Sequence, residues 1–199
     1  MIEYRRATEA DLAEIVEIHI QCFPEYFLTS LGKKLLYSFY KGFFDESNLF
    51  IVAYDNEKMI GFIMGQLDKS MARHNFEREN AIRLFFRLLW LCLKFNKEAL
   101  DRCTSRLFKR FTARNHLTFS HQSDATGLSM GVLHEYRRQD IASRLMFEFE
   151  SLLKQYNVIT CTGSVKGVNF KMHNFYIKNG YSVVEEAGGN KRYLKYLEN

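Results

Sequence analysis

Apolar and polar positions along this chain change their period several times, and each change marks an element. Ile2 to Arg6 reads as a short strand; Leu12, Ile15, Val16, Ile18 and His19 then recur at helical spacing. Thr8 is a good N-cap for that helix, and Asp11, three residues on, places a negative charge in its first turn. Pro24 stops or redirects it. Leu31 to Phe44 is helical again, with Leu35, Leu36, Phe39, Tyr40 and Phe43 on one side. Asn48 to Tyr54 and Met59 to Leu67 form a hairpin around Asp55-Asn56-Glu57-Lys58, and Gly61 and Gly65 in its second strand predict a bulge or a close approach. Further on, Thr126 to Val132 is a strand, Tyr136 to Asp140 a polar, basic turn, and Ile141, Leu145, Met146, Phe149, Leu152 and Leu153 keep helical spacing. Val158 to Val165 is a strand, Asn169 to Asn179 a short helix ended by Gly180, and Tyr181–Glu185 pairs with Lys191–Tyr196 through Gly188-Gly189-Asn190.

Residues 69–118 break this rhythm. They are basic and rich in Phe, Leu and Arg, and they read as a helical insertion. Projected as a helix, Ile82 to Phe95 carries Arg83, Arg87, Trp90 and Lys94 on one stripe, which Lys97 continues, and Ile82, Leu84, Phe85, Phe86, Leu88, Leu89, Leu91, Leu93 and Phe95 on the rest. That apolar perimeter is too wide for a lone surface helix. It can pack over the domain and line a pocket, form a homodimer interface through 82–95, or lie on a membrane surface.

Composition narrows the classes. The chain has 199 residues, 47% of them hydrophobic and 26% charged, which suits one domain with a real core and excludes disorder and disulfide scaffolds. Cys22, Cys92, Cys103 and Cys161 have neither zinc-ligand nor disulfide-framework spacing, so no metal site is expected and the cysteines are expected to be reduced. Met1-Ile2-Glu3-Tyr4 opens no signal-like apolar run, and Leu88 to Leu93 is far below a membrane span, which points to a cytoplasmic protein without stable membrane insertion. The net charge of +5 mildly favours anionic partners; no nucleic-acid-binding motif accompanies it, and no nucleic-acid partner is expected.

The stretch from Leu128 to Leu153 holds the first candidate chemistry. A strand ends at Val132, a turn carries Arg137, Arg138 and Gln139, and a helix begins near Ile141. A helix N-terminus offers unpaired N–H groups and partial positive charge to a phosphate, and the arginines add to it. The same residues also suit a capped helix behind a solvated basic turn. A second cluster, Asn169 with Phe175 and Tyr176, can present an amide and a phenol from one helix face, two turns apart, or can simply supply core aromatics before Gly180.

Taken together, these residues resemble a family. Arg137-Arg138-Gln139-Asp140-Ile141-Ala142 is similar to the acyl-CoA pyrophosphate loop of the GNAT N-acyltransferases, Gln/Arg-x-x-Gly-x-Gly/Ala, with Asp140 where glycine is usual. Asp tolerates left-handed backbone geometry, but its charge suits a diphosphate only if the carboxylate turns away. Asn169, Met172, Phe175, Tyr176, Gly180 and Tyr181 follow the family's Asn-x-x-Ala-x-x-Phe-Tyr-x-x-x-Gly-Phe. The order of elements also matches, over nearly the whole chain apart from 69–118. The resemblance implies an α/β (α+β) GNAT fold: a mixed, mostly antiparallel twisted sheet flanked by helices, with a parallel strand pair that splays apart. It implies acetyl-CoA as co-substrate, held by Arg137, Arg138, Gln139, Asp140, Ile141 and Ala142 at the diphosphate. Met130 and Val132 would hold the pantetheine through their backbone, and Asn169 and Phe175 would lie beside it. It implies that Tyr176 protonates the leaving thiolate.

The activity so implied is transfer of an acyl group, acetyl above all, to a primary amine of a small molecule (an amino sugar, for example) or of a protein N-terminus, by direct attack. The alternatives are a non-catalytic CoA- or partner-binding module of the same fold, or a basic protein that binds nucleic acid or a membrane surface. Asp124, Glu46, His121 and His134 are candidates for the general base by residue type alone. Cys161, inside a strand, is expected to pack rather than react.

Overall fold

The computed structural model describes residues 1–68, 70–93, 124–166, 169–187 and 189–197. Strand β1 (Ile2–Arg6) leads through a single 3-10 turn into α1 (Leu12–Cys22). Asp11 ties that turn together: its carboxylate accepts from the Thr8 backbone N–H at 2.6 Å and from the two terminal Arg5 guanidinium nitrogens at 2.7 and 2.9 Å, with Tyr54 donating at 2.8 Å. Thr8 therefore donates to Asp11 as well as preceding the helix. After Pro24 comes one turn, α2 (Phe27–Ser30), and then α3 (Lys33–Ser47). The helix expected from Leu31 begins at Lys33 because Gly32 takes φ +91°, and it runs past Phe44 to a left-handed Asn48. That in turn delays the next strand.

The hairpin is β2 (Phe50–Asp55) and β3 (Lys58–Leu67). Gly61 and Gly65 behave as the pattern predicts. The pairing with β2 slips beside Gly61, and a Cβ on Gly65 would collide with the Phe149 ring. Two helices follow, α4 (Ala72–Glu79) and α5 (Ala81–Leu93). Beyond Asp124 come β4 (Ala125–Val132), α6 (Ile141–Gln155), β5 (Thr160–Lys166), α7 (Phe170–Lys178), β6 (Ser182–Ala187) and β7 (Asn190–Tyr196). Gly180, at φ +83°, ends α7 with bonds from Gly180 N to Ile177 O and from Tyr181 N to Tyr176 O.

The seven strands form one sheet in the order β1-β2-β3-β4-β5-β7-β6, antiparallel throughout except between β4 and β5. Period-2 alternation divides its core in two. Ile51, Ala53, Ile60 and Ile63 face α6, against Leu145, Phe149 and Leu153. Phe50, Val52, Phe62 and Met64 face α1 and α3, against Leu12, Ile15, Leu36 and Tyr40. With both faces covered, β2 and β3 read as continuous apolar runs.

Helix α5 reverses an expectation. One residue of its basic stripe meets the domain while Arg83 and Trp90 stay exposed: Arg87 Nε donates to the Ser30 carbonyl at 2.9 Å and the guanidinium lies 4.5 Å from the Trp90 ring. Leu91 is buried and Leu84 packs on Leu31, Leu35 and Phe76, but Ile82, Phe85, Phe86, Leu89 and Leu93 are exposed. Packing over the domain therefore accounts for only part of the apolar perimeter. Lys94, Phe95 and Lys97 lie outside the described residues, as does all of the insertion after Leu93.

Candidate active site

Strands β4 and β5 pair at only two positions, Ala125 with Cys161 and Thr126 with Thr162. The threonine hydroxyls lie 3.0 Å apart and pin the closed end. Beyond them the strands part. On the far side, β4 stays paired with β3 up to Val132, with a bulge that leaves Leu128 unmatched between Gly127 and Ser129. Leu133 N–H bonds to Ile60 O, so by antiparallel alternation the backbone groups of Gly131 face β3 and those of Met130 and Val132 face the opening. The Val132 carbonyl is already engaged there, accepting from Arg137 Nε at 3.0 Å and from Cys22 Sγ at 3.4 Å. The Met130 and Val132 N–H groups are thus presented on the open edge.

Tyr176 reaches the other strand. Its ring lies face to face with Tyr193, centroids 4.6 Å apart and planes 9° apart, and edge-on to Tyr181 at 5.1 Å. Its hydroxyl touches β5 where Gly163 has no side chain; a Cβ there would overlap the phenol oxygen. Gly163 is the first β5 residue past the pairing with β4. The hydroxyl therefore sits at the point where the two strands part. Burial pushes the phenol up from its ordinary range, so it holds its proton at neutral pH. Tyr193 is steadied in turn by His173, whose Nδ1 is 2.8 Å from the Tyr193 hydroxyl.

The turn before α6 has an unusual backbone. Arg138 and Asp140 both adopt left-handed conformations, at φ 65° and 55°. Asp140 occupies the N-cap position but makes no side-chain cap bond, and the first helical bond runs from Arg144 N to Asp140 O. The N–H groups of Ile141, Ala142 and Ser143 therefore have no intrahelical acceptor. Ile141 is buried and Ala142 packs on the same core, which fixes the helix end, while Arg137, Arg138, Gln139 and Asp140 are exposed. The Asp140 carboxylate leans to Lys178 at 2.7 Å. Its charge is thereby paired on α7, and the backbone takes the geometry a glycine would supply. This end of the helix presents unpaired N–H groups of the kind that receive anions.

Other expected residues land differently. Asn169 lies just outside α7 as its N-cap, accepting from Met172 N–H at 3.2 Å, because its φ and ψ are not helical; the shared helix face with Tyr176 does not apply. Phe175 packs against the core and edge-on to Tyr176 at 5.9 Å. Arg137 folds back onto β4, which leaves Arg138 as the more outward arginine of the loop. Of the base candidates, Asp124 accepts from Ile159 and Thr160 N–H at 2.9 Å each, and Glu46 accepts from Ser70 Oγ, Met71 N–H and Ala72 N–H at 2.6–2.7 Å. Burial would raise both, but these hydrogen bonds outweigh it and hold both below the usual carboxylate range, where they are poor bases. His134 is exposed in the 3-10 turn after β4, and His121 lies outside the described residues. Cys161 is buried, which raises its thiol to about 11, as packing rather than nucleophilic use requires. Two partners escaped the sequence pattern, Lys178 on Asp140 and Gly163 beneath Tyr176; each depends on a contact between distant segments.

Residues 12–181 match the acetyltransferase (GNAT) family, and the chain belongs to it. No curated protein matches the chain closely. Among solved structures, the PaiA N-acetyltransferase of Thermoplasma acidophilum in complex with coenzyme A superposes with a TM-score of 0.61 at 17% identity, over 98% of this chain and 99% of that one. A ribosomal-protein alanine N-acetyltransferase of Escherichia coli gives 0.60 at 14%, over 100% and 96%. A Pyrococcus horikoshii OT3 protein gives 0.64 at 14%, over the full length of both. These likenesses establish the GNAT fold. Among the described residues no cluster of three metal-ligating side chains occurs, and no helix is long and apolar enough to cross a membrane.

Proposed function

We propose that the protein is an acyl-CoA-dependent N-acyltransferase that moves acetyl from acetyl-CoA to a primary amine of a small molecule or a protein N-terminus. One observation carries the reading: β4 and β5 part after Thr126 and Thr162, and the Tyr176 hydroxyl meets β5 at Gly163, at the start of that opening. We read the chain, 1–199, as one such domain with a helical insertion at 69–118.

Acetyl-CoA supplies the activated acyl group, and the chain supplies position and protons. The uncapped N–H groups of α6 and the turn through Arg138, Gln139 and Asp140, left-handed at Arg138 and Asp140, receive the diphosphate, with Arg138 as an added cation. Arg137 holds the loop to Val132. The Met130 and Val132 N–H groups align the pantetheine and polarise the thioester carbonyl, so that charge developing on its oxygen meets fixed donors. Asn169 flanks the arm from the α7 N-terminus, and Phe175 backs it. The neutral amine attacks the carbonyl carbon, the carbon–sulfur bond breaks, Tyr176 gives its proton to the departing thiolate, and the proton lost by the acylated nitrogen passes through solvent to restore the phenol. Holding both reactants in one cleft supplies much of the rate.

Calorimetric titration with acetyl-CoA, followed by measurement of CoA release with a panel of amines, tests this. Binding with turnover is expected. Binding without turnover would make the protein a CoA-binding module, and the absence of binding would remove the reading altogether.

A further inference from the structure

A buried hydrogen-bonded chain crosses from the helices to the opening. His19 on α1 and Tyr40 on α3 are both buried, with His19 Nδ1 2.7 Å from the Tyr40 hydroxyl. Tyr40 donates onward to Ser129 Oγ at 3.2 Å. With the Tyr40 hydrogen directed to Ser129, the short contact to His19 is met by the tautomer that carries its hydrogen on Nδ1, and His19 Nε2 is buried without a partner among the described residues. Two buried polar groups and an orphaned lone pair are costly in an otherwise apolar layer. Their common result is to fix one hydroxyl.

That hydroxyl belongs to the strand that borders the opening. Ser129 is half-buried and directly follows the Leu128 bulge, on the part of β4 that has left β5. Its side chain faces the α1/α3 layer, whereas Tyr176 packs with the opposite layer. The two hydroxyls approach the opening from opposite faces of the sheet. Ser129 accepts from Tyr40 on one lone pair. It keeps a second lone pair for an N–H and keeps its own hydrogen for an oxygen.

Resting on the acyl-transfer reading, we infer that Ser129 contacts the acceptor, that Tyr40 and His19 are positioning residues for its hydroxyl, and that the preferred acceptor carries an oxygen beside its amine. An amino alcohol, an amino sugar or a peptide N-terminus has that pairing; a plain alkylamine lacks it. A site built to bond such an oxygen loses a bond with an analogue that lacks it.

The test compares n-propylamine, 2-aminoethanol and alaninamide as acceptors for wild type, Ser129→Ala, Ser129→Thr and Tyr40→Phe, with acetyl-CoA affinity measured on each. Wild type prefers at least one of the oxygen-bearing amines over propylamine by about tenfold or more in kcat/KM; the two arms separate small amino alcohols from peptide-like acceptors. Ser129→Ala removes that preference and leaves acetyl-CoA affinity unchanged, Ser129→Thr restores part of it, and Tyr40→Phe adds nothing to Ser129→Ala in the double variant. A merely structural Tyr40 would add its loss to that of Ser129→Ala and leave the preference intact. Unchanged preference in Ser129→Ala, or equal use of all three amines by wild type, overturns the inference while leaving acyl transfer standing. A wild type that binds acetyl-CoA but acylates none of them also overturns it. Failure to bind acetyl-CoA is the separate failure of the acyl-transfer reading.

Discussion

The Tyr176 hydroxyl rests against the bare Cα of Gly163, at the first β5 residue beyond the paired end of the β4–β5 fork. Gly163→Ala should therefore force the phenol out of place. Overpacking of this kind costs about 1–3 kcal/mol. The expected outcome is a modest fall in Tm with a disproportionate loss of kcat, measured by thermal unfolding and steady-state kinetics on the same preparation.

Tyr176→Phe keeps the ring stack with Tyr193 and removes only the acid. Loss of general-acid assistance should lower kcat by about 100-fold, with acetyl-CoA affinity retained. Because burial raises the phenol above its ordinary range, wild-type activity should not fall through tyrosine ionisation below about pH 10. A pH–rate profile of both proteins checks this.

Asp140 holds φ 55° and carries a carboxylate beside the proposed diphosphate site. Asp140→Gly keeps the backbone geometry, removes the negative charge and frees Lys178. Acetyl-CoA should bind about three- to tenfold more tightly at low salt, with the gain shrinking as salt is raised. Titration at two ionic strengths measures it.

Stability should depend on acid through His19. Burial holds the folded imidazole down at about 4, below its ordinary 6.5. The unfolded chain binds a proton through this window and the folded chain does not. Stability from this group is therefore complete above pH 6.5 and is lost as pH falls toward 4, with a slope of at most about 1.4 kcal/mol per pH unit. Asp11 adds loss at lower pH: burial raises its carboxyl, but bonds from Arg5, Thr8 and Tyr54 outweigh that and hold it well below its ordinary 3.8. Urea unfolding between pH 7.5 and 4.5 should show the histidine slope, and His19→Gln should flatten it.

Much of this architecture is legible in the sequence because local chemistry decides it. Strand period, Pro24, Gly180 and the order of elements place the sheet. The loop from Arg137 to Ala142 is readable despite Asp140, because aspartate enters the left-handed region at small cost. What local pattern cannot supply is contact between distant segments. Asp124 and Glu46 look like available bases until their backbone partners, 35 and 25 residues away, are known. Asn169 looks helical until its cap geometry appears. Tyr40 and His19 read as core positions, and only folding brings Tyr40 to Ser129, 89 residues on. Helix α5 shows the apolar perimeter that its projection predicts, yet it turns Arg87 of its basic stripe toward the domain because Arg87 finds the Ser30 carbonyl, and leaves Arg83 exposed.

The most direct measurement is the structure of the protein with acetyl-CoA bound. The diphosphate should lie on the N–H groups between Gln139 and Ser143, and the thioester should lie between the open edge of β4 and the Tyr176 hydroxyl. A nucleotide seated elsewhere, or a thioester beyond reach of Tyr176, would contradict the account.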